Sequence, residues 1–148
     1  MELTILNFPI MQSDTGCLVP IEDRMITDGI KNEGMGIPFA IKRVFYIYGI
    51  TPGKERGFHA HHTISQVLIC LRGHCRIIMD DGFMRESITL TEPHQGLFIG
   101  PYDWHEMVDF SEDTILLVLA SDVYHEGDYI RDYDEFLEVV KRRHSNSV

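Results

Sequence analysis

Between Leu3 and Ala120 the sequence is cut into short apolar runs by turn signals, and this punctuation constrains the fold more than any other feature. The candidate strands are Leu3 to Asn7, Cys17 to Glu22, Lys42 to Tyr48, Gly57 to His61 and Ser65 to Arg72. They continue with His74 to Asp80, Arg85 to Leu90, Gly96 to Ile99, His105 to Phe110 and Thr114 to Ala120. Between them stand Asp14-Thr15-Gly16, Thr51-Pro52-Gly53, Asp80-Asp81-Gly82, Pro93-His94-Gln95-Gly96 and Gly100-Pro101. Asp81-Gly82 between two strands is a hairpin signal, because both residues accept the backbone angles a tight turn demands. Many short strands at regular spacing give an all-β sandwich or barrel. Thr27 to Gly36, with three glycines and mixed charge, reads as a loop. One short C-terminal helix is expected over about residues 132–142. There apolar residues recur at helical spacing, acids come early, and Lys141-Arg142-Arg143 comes late, as the helix dipole favours.

A chain of 148 residues is expected to form one domain, 1–148, around a single core. No apolar run approaches the roughly 18 residues that span a bilayer, so no membrane partner is expected. Met1-Glu2-Leu3-Thr4 lacks the basic start of a signal peptide, and a cytoplasmic location is the expectation. Cys17, Cys70 and Cys75 show no C-x-x-C pattern and read as reduced thiols. A net charge of −10 argues against nucleic acid as a partner, since a phosphate backbone needs a basic footprint. It does not exclude a small anion bound by a few arginines.

Chemistry concentrates in Arg56-Gly57-Phe58-His59-Ala60-His61-His62. Residues two apart on a strand share a face, so His59 and His61 stand side by side while His62 points away. Imidazoles held this way bind a metal or move protons near neutral pH. Gln66 bears on that choice, because an amide brings no negative charge to a divalent cation. His59, His61, Gln66 and His105 could still ligate zinc, copper, iron or nickel, but without charge neutralisation. Proton transfer is the favoured reading, with no metal and no cofactor. Arg56 precedes the histidine strand and is expected at the barrel mouth, where a guanidinium clamps a diphosphate. Arg43 either joins it or pairs with an acid. His62, His74, His94, His125 and His144 read as ordinary hydrogen-bonded or surface residues.

Gly53, five residues, His59, one, His61, four, Gln66, six, Gly73 matches the first cupin motif with one change, glutamine for the usual glutamate. Gly96-Leu97-Phe98-Ile99-Gly100-Pro101-Tyr102-Asp103-Trp104-His105 resembles the second. The fold expected is therefore an all-β cupin (jelly-roll) barrel. More specifically, the sequence resembles the nucleoside-diphosphate-sugar 3,4-ketoisomerases, also called TDP-4-oxo-6-deoxyglucose 3,4-oxoisomerases. The matching stretches are Ile41-Lys42-Arg43-Val44, Arg56 to His61, Gln66-Val67-Leu68, Asp80-Asp81-Gly82, Gly100-Pro101, Trp104-His105-Glu106-Met107, Leu119 to Asp122 and Asp128-Tyr129-Ile130-Arg131.

The resemblance implies a metal-free enzyme acting on a TDP-linked 4-keto-6-deoxy sugar, with catalytic His59 and His61. It also implies a homodimer in which N-terminal strands, within residues 3–22, join the partner subunit. Arg56, Arg43, Gln66, Tyr46, Trp104, His105 and Glu106 are the expected substrate contacts. His59 is expected as the base, with His61 orienting it, polarising the oxygen or relaying the proton. Thr15, Phe45 and the long 27–36 loop depart from the family pattern and bear on sugar contacts. His105, where some members carry arginine, leans toward a galacto-configured product. Three other readings compete: a TDP-sugar 3,5-epimerase, a metal-dependent cupin dioxygenase, and a non-catalytic sugar-nucleotide-binding cupin.

Overall fold

A computed structural model describes residues 1–23 and 36–147. Two five-stranded antiparallel sheets make up most of it. The first runs in the order β1 (Thr4–Asn7), β9 (Gln95–Ile99), β6 (Gln66–Arg72), β11 (Ile115–Ala120) and β4 (Arg43–Ile47). The second runs in the order β12 (Tyr129–Ile130), β5 (Arg56–His61), β10 (Trp104–Val108), β7 (Cys75–Asp80) and β8 (Arg85–Leu90). Leu68, Ile77, Leu97, Ile99, Met107, Leu116 and Val118 are buried together as the principal core. No helix among the described residues is long and apolar enough to cross a membrane.

The expected strand over Cys17 to Glu22 is corrected. Its first two residues instead close a small hairpin of β2 (Met11–Ser13) and β3 (Gly16–Leu18), paired from Met11↔Leu18 to Ser13↔Gly16. Asp14-Thr15 makes the turn, and Gly16 takes a φ of 129° that a side chain would resist. Pro20, with no N–H, suits the end of a ladder. The loop read over Thr27 to Gly36 lies, except for Gly36, outside the described residues.

The C-terminal helix α1 (Tyr133–Asn146) runs longer than the expected 132–142. Asp132 caps it, its carboxylate accepting from the Glu135 amide at 2.9 Å. No glycine or proline interrupts the chain after Arg143, so the helix continues to Asn146, with Ser147 as its C-cap. Phe136 and Val140 pack on Ala60, Trp104 and Ile130, which covers the outer face of the second sheet.

Candidate active site

Strand β5 carries the site and is not a regular strand. Opposite it on β10, His105 pairs with His59 and Glu106 with Gly57, so Phe58 is an extra residue in the ladder. Gly57 has φ 87° and Phe58 φ 60°, both in the left-handed region. A Cβ on Gly57 would come within 2.9 Å of the His105 carbonyl oxygen, so glycine is required there twice over. The bulge has a geometric consequence. Arg56 and His59 are three apart and would face opposite ways on a regular strand, yet both line the same cavity.

That cavity holds about 410 Å³ between the two sheets, within the range of small-ligand sites. Register explains who meets whom. His105 is directly across from His59, and Tyr129 on β12 is directly across from His61. The ring centroids of His59 and His105 are 4.6 Å apart, and those of His59 and His61 are 5.1 Å apart. Tyr129 stands 4.9 Å from His59 and 4.4 Å from His61. His59 lines the cavity; His61, 2% exposed, sits behind it. Nδ1 of His59 and Nε2 of His61 are buried without a hydrogen-bond partner. Such atoms are costly unless something else completes them, and for His59, at the cavity wall, a bound ligand can do so.

Electrostatics follow from this packing. Burial, then repulsion from a charged His61, pulls the His59 imidazole down to about 4. His105 is driven well below its ordinary value, by burial first and His59 second. Burial also lowers His61, against the opposing pull of the Asp128 carboxylate and its hydrogen bond. All three rings therefore favour the neutral form near pH 7, in which one nitrogen can accept a proton.

Cations ring the opening. Arg43, Arg56 and Arg131 line the cavity with Glu55 the acid among them, although the whole chain carries −10. The Arg43 guanidinium lies 4.4 Å from the Phe45 ring centroid, and that of Arg131 lies 4.2 Å from Tyr129. Arg131 also donates to both carboxylate oxygens of Glu126, at 2.8 and 2.9 Å. That guanidinium, followed by the Tyr124 hydroxyl, holds the exposed Glu126 carboxyl down to about 2.

Among the residues expected at the site, His59, Arg56, Arg43, Gln66 and His105 line the cavity. Three expected substrate contacts, Trp104, Glu106 and Tyr46, do not line it. On β10, His105 and Met107 face inward, so Trp104 and Glu106 face the helix side. There Trp104 Nε1 donates to Glu106 at 2.8 Å, and Arg85 approaches the same carboxylate at 3.4 Å. Trp104 packs 5.1 Å from Tyr133, in the cluster it shares with Ala60, Ile130, Phe136 and Val140. Alternation places Tyr46 in the same way. Arg43, Phe45 and Ile47 point into the cavity, and Tyr46 points outward, 64% exposed.

The sequence reading assigned no role to Asp128, Tyr129 or Arg131, although it quoted that stretch. They reach the site because β12, only two residues long, adds to the edge of β5. The one available signal was three functional residue types clustered in a stretch with no core pattern. Among the described residues, no group of three or more His, Cys, Asp or Glu side chains is arranged to hold a metal ion.

A family model, FdtA (WxcM-like, C-terminal), matches residues 1–141. The TDP-4-oxo-6-deoxy-alpha-D-glucose-3,4-oxoisomerase of Aneurinibacillus thermoaerophilus is 47% identical over 142 residues, covering 96% of this chain and 95% of that protein. A 3,4-ketoisomerase from Helicobacter canadensis superposes with a TM-score of 0.83 at 46% identity, covering 95% of this chain and 98% of that one. The 3,4-ketoisomerase QdtA of Thermoanaerobacterium thermosaccharolyticum matches in a histidine-to-asparagine mutant bound to TDP-4-keto-6-deoxyglucose. Its TM-score is 0.84 at 40% identity, with 95% of each chain covered.

Proposed function

The chain belongs to the FdtA (WxcM-like, C-terminal) family of sugar-nucleotide 3,4-ketoisomerases, and from that premise we propose that it converts TDP-4-keto-6-deoxy-D-glucose to a TDP-3-keto-6-deoxyhexose. One observation carries the reading to this chain. A neutral histidine and three arginines converge on a single cavity, the first suited to a carbon acid and the others to a diphosphate.

Moving the ketone from C4 to C3 needs no net redox partner. The proton on C3 leaves to a base while the C4 carbonyl oxygen gains a proton, giving a 3,4-enediol. The C3 hydroxyl then gives up its proton as C4 receives one, and the C3 carbonyl forms. His59, on the cavity wall, is the base. His61 behind it relays the proton between the two oxygens, while His105 beside His59 on the same sheet and Gln66 on the facing sheet bound the sugar. Arg56, Arg43 and Arg131 take the diphosphate, the last by exchanging its Glu126 partner for phosphate oxygens. The configuration at C4 depends on which face of the enediol receives the proton. Following the resemblance, which attaches His105 in place of arginine to such members, the product is galacto-configured. It would serve as the ketone for an aminotransferase that makes a 3-amino-3,6-dideoxy sugar. A cytoplasmic site of action is in keeping with free thiols at Cys17, Cys70 and Cys75.

The test supplies TDP-4-keto-6-deoxyglucose and a 3-aminotransferase and reads the amino sugar by NMR. A 3-amino product with an axial C4 hydroxyl is expected; an unchanged substrate, or exchange at C5 with inversion, overturns the reading. The same assay gives the pH dependence. Only neutral His59 accepts a proton, so a pKa held down to about 4 extends activity to acid. Then kcat/KM stays level as pH falls through about 6.5, the ordinary imidazole value, and drops only as pH approaches about 4. An acid limb at 6.5 or above counts against His59 as base.

A homodimer is proposed as well. The β2–β3 hairpin pairs with no other strand among the described residues and leaves Met11 59% and Leu18 58% exposed. Two short strands do not hold alone in water. Strand β4, an edge of its sheet, exposes Val44 and Tyr46. A partner's hairpin on such an edge would cover both apolar surfaces. Light scattering after gel filtration is expected to give twice the chain mass, and Leu18→Asp is expected to shift it toward the monomer.

A further inference from the structure

Asp128 closes the 3-10 turn Glu126–Asp128, one residue before the strand that pairs with the histidine strand. Its carboxylate accepts four hydrogen bonds. Oδ1 takes the Thr63 amide at 3.0 Å and the Thr63 hydroxyl at 2.7 Å. Oδ2 takes the Ile64 amide at 3.1 Å and lies 3.2 Å from Nδ1 of His61. Burial works to raise this carboxyl, but the Thr63 and Ile64 donors outweigh it and keep Asp128 below its usual range. An ionised carboxylate only accepts, so the Nδ1 of His61 must carry the hydrogen. The other nitrogen, Nε2, then holds the lone pair, and it is the buried, unpartnered atom of that ring.

We propose that Asp128 is a positioning residue, fixing His61 as the Nδ1–H tautomer so that its free Nε2 takes and returns the proton in the isomerisation. Asp128 touches no substrate; it acts through His61. This rests on the ketoisomerase reading for the proton's destination, but the tautomer itself does not. A second job competes for the same residue, since Asp128 also ties down the turn at Thr63 and Ile64. The experiment has to separate the two.

Asparagine at position 128 supplies the means. One side of its amide still accepts from Thr63, while the other places an N–H₂ where His61 Nδ1 and the Ile64 amide both donate. His61 relieves that clash by moving its hydrogen to Nε2. Nitrogen-15 NMR of the wild-type protein labelled at histidine is expected to show His61 with a protonated Nδ1 and a lone-pair Nε2 near pH 8. In Asp128→Asn the two signals exchange character, kcat falls about 100-fold or more, and KM stays within about threefold. Wild-type His61 protonated on Nε2 overturns the proposal, and that measurement needs no variant to fold. So does an Asp128→Asn protein that retains kcat within threefold, or that loses activity with the His61 tautomer unchanged. If the wild type shows no ketoisomerase activity, the function falls, while the wild-type spectrum still decides the role of Asp128.

Discussion

His59→Asn is expected to yield a folded protein that still binds TDP-4-keto-6-deoxyglucose and converts it about 1,000-fold more slowly. Asparagine fills nearly the same space and keeps hydrogen-bonding capacity, but its amide does not accept a proton at neutral pH. General-base catalysis by one side chain is worth about 10²–10⁴ in rate, and His59 is the histidine of β5 that reaches the cavity wall. Its environment supports the assignment. A ring kept neutral by burial is available to take a proton throughout the neutral range. Exchange of the C3 hydrogen in deuterated water isolates this step from the later ones. Exchange should vanish in His59→Asn, while in His61→Asn it should slow less than conversion does. Both variants retaining conversion within tenfold of wild type would end the case for either histidine.

The second large effect is expected at a residue with no side chain. Gly57→Ala should cost about 2–4 kcal/mol of stability and remove most of the activity of the protein that remains folded. Two causes add. Alanine resists a φ of 87°, and its Cβ would sit 2.9 Å from the His105 carbonyl oxygen, which is backbone and cannot swing aside. Relief requires β5 and β10 to separate or the bulge to slide. Either movement displaces His59 from His105, its cross-strand partner. Thermal unfolding measures the first effect and the coupled assay the second. An alanine variant as stable and as active as wild type would mean the bulge is not what aims the site.

Much of the frame was legible because strands and turns write their constraints locally. Arg85 to Leu90 is bounded by its own sequence, and Asp81-Gly82 sits in the connection from β7 to β8 with Gly82 at φ 92°. The pair His59 and His61 was legible for the same reason, as was the C-terminal helix with its early acids and late bases. The outward placement of Trp104 and Glu106 was legible as well. They flank His105, and alternation alone turns neighbours of an inward residue outward. Motif membership does not by itself give cavity lining, and these two residues pair with each other on the helix side of the sheet. Asp128, Tyr129 and Arg131 were harder to see. Nothing in a two-residue strand announces which edge it will join, and sequence separation from His61 exceeds sixty positions.

Two pairs with identical spacing mark the boundary. Arg43 and Tyr46 are three apart on β4, and Arg56 and His59 are three apart on β5. The sequence by itself determined that Arg43, Tyr46 and His59 lie on strands with Arg56 at the edge of one, that the strands form an all-β barrel, and that β5 carries paired imidazoles. Only the tertiary structure decided that the first pair splits across the sheet while the second converges on the cavity. The physical reason is the bulge at Gly57 and Phe58. Its cost is offset by pairing with β10 on a partner strand more than forty residues away, an interaction that local sequence does not contain.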